Sequence, residues 1–297
     1  MRNKILITGG TGLLGLGITA TVPDESEITS IHLRNYSIQI PHAKTLLLDI
    51  LNRQAVDELF EKNKFSAVIH CAGVANVDYV EKNYAESLES NIAGTIHIAS
   101  ACKRTGAHLV YVSTNAVFDG NNPPYDENSP LNPINKYGHM KVECEKVVAE
   151  TLQNFTLVRP ILMYGWNNSH SRRNPATWLL EKIKAGQSVS MVNDVYENPI
   201  YNIECGRAIW EIIKIKFFGI VHMAGSEIVN RYQFALKTAE VFGLDKGLIK
   251  EVDSSHFPSI APRPKNTSFN TNVMEKKLGV KPISVREGLI HMKLSLR

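Results

Sequence analysis

Short apolar runs alternate with helix-spaced apolar residues along the first 160 positions of the chain. A continuous apolar run bounded by turn residues predicts a strand that is buried on both faces of a parallel sheet. The predicted strands cover residues 5–8, 28–33, 46–48, 65–71, 109–112 and 156–159. The predicted helices cover residues 13–20, 78–104 and 135–150, with a shorter helical pattern around residues 56–60. This repeated alternation predicts an α/β fold built on a doubly wound parallel sheet.

The regular alternation ends after Pro160. Beyond it the pattern predicts loops at 163–174, 188–199 and 254–270, helices at 175–185, 203–217 and 232–242, and a seventh strand at 219–223. Asn230 is the expected N-cap of the helix at 232–242. We therefore predict a dinucleotide-binding Rossmann-type domain from residues 1–160 and 200–225. A smaller interleaved C-terminal part, from residues 160–200 and 225–297, is expected to bind the substrate.

The first predicted strand runs directly into a glycine-rich turn in the stretch KILITGGTGLLG. Gly9 can adopt a positive φ for the tight turn, Gly12 leaves the backbone bare beside a pyrophosphate, and Gly15 permits close packing of the next helix. Leu13 and Leu14 begin that helix, whose unpaired N–H groups and positive dipole end favour an anion. The turn therefore predicts a dinucleotide site, and a glycine turn without a ligand is the alternative on the local pattern.

The residues after the second predicted strand bear on the choice of cofactor. An acid is expected there when the ribose diol of NAD is bound, but this chain has Arg34 close to that position. Arg34 favours the 2′-phosphate of NADP(H), although a solvated arginine is the alternative. Glu25 or Glu27 could take the role of the acid if the strand begins elsewhere, so NADP(H) is preferred and NAD(H) stays open.

Further cofactor contacts are expected at the ends of the third and fourth predicted strands. Asp49 would lie near the adenine, although a plain turn aspartate is the alternative, and the backbone at Ala72 and Gly73 is bare where the second half of the cofactor would pass. Asn91 is a polar residue within an apolar helical stripe, so it must be hydrogen-bonded, and a neighbouring backbone group would suffice. The set predicted from this part of the chain is Asp49, Ile50, Cys71, Ala72, Gly73 and Asn91.

Composition and charge narrow the class of protein. The formal charge is +4 and the basic residues form no run, which argues against a nucleic-acid or membrane-surface partner. The four cysteines are widely spaced and the ten histidines show no metal-ligand spacing, so we expect reduced thiols and no metal. No apolar run approaches the roughly 20 residues that span a bilayer. The chain is expected to be a cytoplasmic protein.

Tyr137 and Lys141 lie four residues apart at the start of a predicted helix, so they share one face. A tyrosine protonates a carbonyl near neutral pH only if its pKa falls by roughly three units, or about 4 kcal/mol. One ammonium about 4 Å away supplies on the order of 4 kcal/mol at an effective dielectric constant near 20. The preceding strand delivers Ser113 and Thr114 to the edge that carries the glycine turn, and the joint pattern predicts an oxidoreductase.

Four segments together resemble one family: TGGTGLLG, STNAVFDG, NPINKYGHMK and APRPKNTSFNT. The chain is similar to the extended short-chain dehydrogenase/reductases, and specifically to their dTDP-4-dehydrorhamnose reductase branch. The resemblance implies that Thr114 polarises the substrate carbonyl, that Tyr137 is the general acid, and that Lys141 binds the nicotinamide ribose and lowers the pKa of the tyrosine. It also implies hydride delivery from NADPH or NADH to C4 of a nucleotide-linked 4-keto sugar.

Two departures from that branch fall on the substrate side. Asn115 and Ala116 stand where its members usually have Asp-Tyr, which removes an aromatic ring from the edge of the pocket. The D-x-x-x-x-P-T element of the family appears at 194–200 with Ile200 in place of threonine. Both changes bear on the identity of the sugar and leave the redox residues intact.

Basic residues in two later loops are candidates for the diphosphate of the substrate. In the family interpretation Arg263, Lys265 and Asn266 close over the sugar nucleotide, and cations would meet the diphosphate with charge-assisted hydrogen bonds. A surface loop stiffened by prolines is the alternative. Arg172 and Arg173 are second candidates, and for them a solvated basic pair is the alternative.

The resemblance leaves two other functions open. A non-catalytic NADP-binding regulatory subunit, like the β subunit of methionine adenosyltransferase, resembles the same branch and also has a Y-x-x-x-K sequence. A nucleotide-sugar epimerase of the same superfamily keeps the same triad, whereas Asn115 and Ala116 count against a dehydratase. A homodimer is compatible with each of these functions.

Overall fold

Parallel strands and flanking helices organise the structure, a computed structural model that describes residues 3–33, 40, 42–168, 172–257 and 260–295. The strands are β1 (Asn3–Thr8), β2 (Ser26–His32), β3 (Ala43–Leu47), β4 (Ala67–His70), β5 (His108–Val112), β6 (Phe155–Pro160), β7 (Met163–Tyr164), β8 (Val189–Val192), β9 (Tyr196–Glu197), β10 (Ile200–Tyr201), β11 (Gly219–Met223), β12 (Val229–Asn230) and β13 (Ile249–Val252). The helices are α1 (Leu13–Thr19), α2 (Arg53–Asn63), α3 (Val77–Lys82), α4 (Tyr84–Thr105), α5 (Lys136–Thr151), α6 (Pro175–Lys184), α7 (Asn202–Ile215), α8 (Arg231–Phe242), α9 (Asn272–Lys276) and α10 (Val285–Leu294). Short 3₁₀ turns lie at Asn115–Val117, Lys246–Leu248 and Ser254–His256.

The central sheet of the described chain has seven strands in the order β11-β6-β5-β4-β1-β2-β3, all of them parallel. Each of the seven corresponds to a strand that the apolar runs predict. Ile5 and Ile7 of β1 pack into the apolar cluster on one face of the sheet and Leu6 into the cluster on the other, and all three are fully buried. An unbroken apolar run is therefore required in this strand, and the predicted Rossmann-type fold is confirmed.

The strand order reverses between β1 and β4, because β2 and β3 extend the sheet on one side and β5, β6 and β11 extend it on the other. The helix α1, which follows β1, packs on one face of the sheet and α4, which follows β4, packs on the other, so a crevice opens at the carboxyl edge. Ligands bind at such switch points in open parallel sheets. The glycine turn follows β1 and therefore lies at this crevice.

The predicted single helix over residues 78–104 is wrong, because two helices, α3 and α4, cover this stretch. They meet at Asn83, which has a non-helical backbone with φ −124° and ψ 50°. The Asn83 side chain donates to the Tyr79 carbonyl oxygen at 3.0 Å. Asparagine offers the backbone such an alternative bond and so favours a helix end over a helix interior. The helical spacing of the apolar residues does not reveal this break.

The predicted loop at 188–199 is also wrong, since it contains β8 and β9. β8 pairs in parallel with β13, and β9 pairs antiparallel with β12. These two- and four-residue strands are too short for an alternation signal in the sequence. The N-cap prediction for Asn230 is confirmed, because its side chain accepts the Gln233 N–H at 2.7 Å. The division of the chain into two parts stays a prediction.

Candidate active site

A cavity of about 1390 Å³ follows the carboxyl edge of the sheet across the β1–β4 switch point. Ten of its lining residues belong to the predicted cofactor set: Gly9, Gly12, Leu13, Leu14, Gly15, Asp49, Ile50, Cys71, Ala72 and Gly73. We call this part of the lining the glycine side. A second part, which we call the arginine side, is formed by Asn115, Ala116, Arg172, Glu197, Arg231, Arg263 and Thr267. Thr114 follows β5 and joins the two, because β5 neighbours β4 and Asn115 is the next residue.

The glycine turn is packed too tightly for a side chain at Gly9. Gly9 has φ 71°, and a Cβ atom there would lie 2.9 Å from the backbone nitrogen of Ala72. The turn after β1 therefore lies directly against the turn after β4, and both present bare backbone to the cavity. Gly12 precedes α1 without a side-chain cap, so no side chain occupies the first amides of the helix. This lining fits the pyrophosphate of a dinucleotide.

Asn91 holds the turn after β4 in place. Its side-chain oxygen accepts the Val74 N–H at 3.2 Å, and its amide nitrogen donates to the Ser87 carbonyl oxygen at 2.8 Å. Gly73 has φ 154°, and a Cβ atom there would lie 2.3 Å from the Asn91 oxygen. Asn91 is absent from the described cavity lining, so it shapes the cofactor site through the backbone and does not face a ligand.

The adenosine end of the predicted site is described in part. Asp49 lines the cavity, and its carboxylate accepts the Leu51 N–H at 2.9 Å, so the cavity position and the turn role that the sequence allows are both present. His32 and Leu33 line the cavity after β2. Arg34, which carries the preference for NADP(H), lies outside the described residues.

Thr114 and Tyr137 meet across two elements. Thr114 caps the 3₁₀ turn at Asn115–Val117, where its Oγ1 accepts the Ala116 N–H at 3.2 Å. Tyr137 lies in the first turn of α5, and Asn135 caps this helix by accepting the Gly138 N–H at 2.8 Å. The side chains of Tyr137 and Thr114 are neighbours, since Thr114 lowers the pKa of Tyr137, and both residues line the cavity. A hydroxyl group and a phenol from separate parts of the chain thus meet beside bare backbone.

Lys141 is buried behind the cavity and does not line its described part. Its ammonium donates to the Tyr111 hydroxyl oxygen at 2.6 Å and to the Val112 carbonyl oxygen at 2.7 Å. Burial lowers the pKa of Lys141, whereas Cys144, Glu145 and Cys71 raise it. The ammonium is therefore fixed by β5, two residues from Thr114.

The expected lowering of the tyrosine pKa by Lys141 is not present in this structure. Burial raises the pKa of Tyr137 to about 12, and the neighbouring Thr114 side chain opposes that rise. The physical reason is that Lys141 directs its ammonium to β5, while the phenol lies in a poorly solvated position. At neutral pH the Tyr137 hydroxyl therefore holds its proton.

A buried ion pair fixes the helix that carries Tyr137 and Lys141. Glu145 of α5 accepts from Arg159 of β6 through both carboxylate oxygens, at 2.9 and 2.7 Å, and both side chains are at most 5% exposed. Removing one partner of such a pair leaves an uncompensated buried charge, which is costly. α5 is thereby held against the sheet at the level of β6.

The predicted substrate residues divide into two groups. Ser113, Asn115, Arg172 and Arg263 line the cavity. Arg263 is also bonded to the Asp78 carboxylate of α3 at 2.7 Å. Among the described residues, no carboxylate is ion-paired with Arg172, unlike Arg263.

Lys265, Asn266 and Arg173 are not part of the described cavity lining, contrary to expectation. Lys265 directs its ammonium to Asp194 and to the Ser254 hydroxyl. Asn266 accepts the Ser268 N–H at 3.0 Å, and Arg173 is ion-paired with Glu181 at 2.6 Å. Each of the three therefore has a partner away from the cavity. The proline-stiffened surface loop, given as the alternative for Lys265 and Asn266, describes them better.

Sequence reasoning missed four residues of this site: Tyr111, Glu197, Arg231 and Thr267. Tyr111 lies within an apolar strand, where an aromatic residue carries no signal of its own. Glu197 lies in a stretch without periodicity, and its only signal is an acid inside the altered D-x-x-x-x-P-T element. Arg231 and Thr267 line the cavity because distant segments of the chain pair, and no local sequence pattern indicates such pairing.

The described residues contain neither a cluster of metal-ligating side chains nor a helix of membrane-spanning length and hydropathy. That part of the chain brings together no group of three or more histidine, cysteine, aspartate or glutamate side chains that could hold a metal ion. None of its helices is both long and apolar enough to cross a bilayer. All four cysteines are free, as their spacing predicts.

The parallel sheet, the glycine turn and the grouping of Thr114, Tyr137 and Lys141 define an extended short-chain dehydrogenase/reductase. The chain belongs to the family described as the RmlD substrate binding domain, whose model matches residues 2–296.

Three proteins illustrate the similarity. The solved dTDP-4-dehydrorhamnose reductase of Bacillus anthracis, in complex with NADP, superposes with a TM-score of 0.87 at 27% identity, covering 99% of this chain and 100% of that one. The dTDP-4-keto-6-deoxy-D-glucose reductase of Streptomyces niveus is 25% identical over 285 residues, or 95% of this chain and 93% of that protein. The methionine adenosyltransferase 2 subunit beta of Xenopus tropicalis is 28% identical over 279 residues, or 92% of this chain and 82% of that protein.

Proposed function

We propose that this protein is an NADP(H)-dependent reductase of a nucleotide-linked 4-keto sugar, with NAD(H) as the alternative cofactor. One observation carries the proposal: the neighbouring Tyr137 and Thr114 line the cavity where its glycine side meets its arginine side. A cofactor and a polar substrate would then meet at a phenol that can donate a proton. The similar reductases of Bacillus anthracis and Streptomyces niveus support this substrate class.

The glycine side would hold the dinucleotide through the backbone at Gly9, Ala72 and Gly73, because none of these positions presents a long side chain. When bound, the reduced nicotinamide would supply a hydride. Lys141 is buried against β5 beside this site, which suits an ammonium that orients ribose hydroxyl groups.

On the arginine side the substrate carbonyl would lie between Thr114 and Tyr137. Thr114 would orient the carbonyl oxygen, and Tyr137 would transfer its proton to that oxygen. A pKa of about 12 in the free chain keeps the Tyr137 proton in place until the substrate is bound. Arg172 lines the same side and suits a diphosphate, because a guanidinium group binds phosphate oxygens with charge-assisted hydrogen bonds, whereas Arg231 is ion-paired with Glu197.

A panel of 4-keto nucleotide sugars tests the proposal when NADPH oxidation is followed for the wild type and for Tyr137→Phe. We expect turnover with at least one sugar and a loss of about 10²–10⁴-fold in kcat for the variant, the usual contribution of general acid catalysis. Tyr84→Phe is the control, because Tyr84 is a half-buried tyrosine outside the described cavity lining. Turnover that persists in Tyr137→Phe would show that another group donates the proton.

A regulatory subunit without turnover is the second candidate. The observation that favours it is the 28% identity to the methionine adenosyltransferase 2 subunit beta, spread over 92% of this chain. If the protein is such a subunit, it binds NADPH but reduces no sugar. Tyr137→Phe then leaves every measured property of the NADPH-bound protein unchanged. The same panel of sugars, with NADPH binding measured alongside, separates the two functions.

A further inference from the structure

The side chain of Asn115 is held in one orientation by its neighbours. Its amide nitrogen lies 3.1 Å from Glu197 Oε1 and 2.6 Å from Thr267 Oγ1. An ionised carboxylate only accepts hydrogen bonds, so the NH₂ group of Asn115 must face Glu197. The amide oxygen then faces Thr114, whose Oγ1 lies 3.4 Å away. Glu197 therefore determines which atom of Asn115 is presented to Thr114.

Glu197 is itself well anchored. It is 8% exposed, and its second carboxylate oxygen lies 2.6 Å from Arg231 Nη2 in an ion pair. The backbone supports this pair, because β9 and β12 place Glu197 opposite Val229, two residues before Arg231. The carboxylate cannot turn away from Asn115 without breaking contacts on both of its oxygens.

This arrangement limits the bonds that Thr114 can form. One lone pair of its hydroxyl oxygen accepts the Ala116 N–H, and its hydrogen is donated to Asn115, so one lone pair is left for a further donor. If the amide of Asn115 were reversed, its NH₂ group would face the Thr114 oxygen and occupy the remaining lone pair. No lone pair of Thr114 would then remain for the Tyr137 hydroxyl or for a substrate, and the Thr114 hydrogen would turn away from Asn115.

We propose that Glu197 is a positioning residue for Thr114 and that Asn115 and Glu197 form a matched pair on the arginine side of the cavity. The role in turnover rests on the proposed reductase function. An aspartate at position 115 would place two carboxylates in direct contact, which disfavours ionisation of both. A glutamine at position 197 could either donate or accept, so it would release the amide of Asn115. Exchanging both residues restores one carboxylate and one amide.

The four chains of a double-mutant cycle test the pair: wild type, Asn115→Asp, Glu197→Gln, and the variant with both substitutions. We expect Asn115→Asp to lower Tm and to reduce kcat about tenfold or more, because a small misplacement of a group that acts on the substrate has effects of this size. Glu197→Gln is expected to reduce kcat several-fold with little change in KM. The double variant should recover both Tm and kcat relative to Asn115→Asp, which is the non-additive result expected of contacting residues.

Glu227→Gln is the matched control, because it removes a carboxylate that is ion-paired with Lys237 at 2.7 Å outside the described cavity lining. This control should leave kcat and KM at their wild-type values. Additive changes in Tm across the cycle would overturn the pairing, whatever the turnover. Recovery of Tm without recovery of kcat would overturn the positioning role and leave Glu197 as a structural residue. A wild type that reduces no sugar would overturn the reductase function and with it the positioning role, while the Tm values would still decide the pairing.

Discussion

The two sides of the cavity differ in whether main chain or side chains form the lining. The glycine side presents backbone and small residues, with Gly9 and Ala72 in contact through their main chains. The arginine side presents charged and amide side chains that hold one another, as in the contacts of Glu197 with Asn115 and Arg231. Recognition by backbone groups suits a cofactor that many proteins share. A network of side chains suits a substrate that differs between proteins, because substitutions in the network can alter which substrate is bound.

This difference has a consequence for substitutions. On the glycine side a change acts through steric exclusion, since an added atom meets main chain at Gly9 and the hydrogen-bonded Asn91 side chain at Gly73. On the arginine side a change acts through charge and hydrogen bonding, and a compensating second change can restore the contact. The two sides should therefore respond differently to single substitutions of similar size.

The largest effect is expected for Gly9→Ala. The added methyl group would lie 2.9 Å from the Ala72 nitrogen in a turn with φ 71°, so the backbone must shift where the pyrophosphate would bind. We expect NADPH affinity, measured by calorimetry, to fall about 100-fold or more, since lost hydrogen bonds to a charged group cost about 1.5–3 kcal/mol each.

Gly106→Ala is the matched control for that substitution. Gly106 has φ 74°, and a Cβ atom there meets nothing within 4 Å. It therefore incurs the same backbone strain, of order 1 kcal/mol, without the contact. Equal loss of NADPH affinity in both variants would mean that the strained φ, and not the packing of the turn, is what matters.

A smaller effect is expected for Arg172→Ala on the arginine side. Arg172 lines the cavity without an ion pair to a described carboxylate, so its guanidinium is available to an anion. We expect the dissociation constant for dTDP, measured by calorimetry, to rise about tenfold, as for the loss of one charge-assisted hydrogen bond. Arg173→Ala should change it less than about twofold, because an exposed ion pair such as that of Arg173 with Glu181 contributes little. Similar losses in the two variants would indicate a general charge effect and no contact.

The smallest effect concerns the ionisation of Tyr137 at the junction. Burial raises its pKa to about 12, above the ordinary value of about 10. Because the folded chain holds this proton more strongly, the contribution to stability is complete below pH 10 and is lost as the pH rises from about 10 to 12. The phenolate absorbance of the wild type minus that of Tyr137→Phe should therefore stay flat up to about pH 10. An ionisation in that difference well below pH 10 would show that Lys141 lowers the pKa after all.

Much of the glycine side could be predicted from the sequence, because its signals are local. Strand β1 runs into the turn at Gly9, and strand β4 runs into the backbone at Ala72 and Gly73. The strand order then brings the two turns together, because β1 and β4 are neighbours in the sheet. Asn91 is a polar residue in an apolar helix, and its partners are backbone groups at Val74 and Ser87, as the sequence predicts.

The arginine side could be predicted only in part, because it assembles from distant segments. Asn115 contacts Glu197 and Thr267, which are 82 and 152 positions away. Charge in a loop singles out four cations, of which Arg172 and Arg263 line the cavity, whereas Lys265 and Arg173 bind carboxylates outside its described lining. Loop charge alone cannot separate the two cases, because a loop cation can bind a surface carboxylate equally well. The sequence shows that Asn115 stands where the related proteins usually have the aspartate of an Asp-Tyr pair. Only the fold shows that the charged Glu197 lies beside it and explains this difference.

Deuterium transfer tests the central claim, that the two sides of the cavity bind a reduced nicotinamide and a keto sugar around Tyr137 and Thr114. Wild-type protein would be incubated with NADPH deuterated at the reactive carbon and with the nucleotide-linked 4-keto sugar that it reduces, and the product would be examined by NMR. We predict deuterium at C4 of the sugar in the wild type and its loss in Tyr137→Phe, in which NADPH binding is retained. Oxidation of NADPH without deuterium on the sugar, or no reduction of any sugar despite tight NADPH binding, would contradict the account.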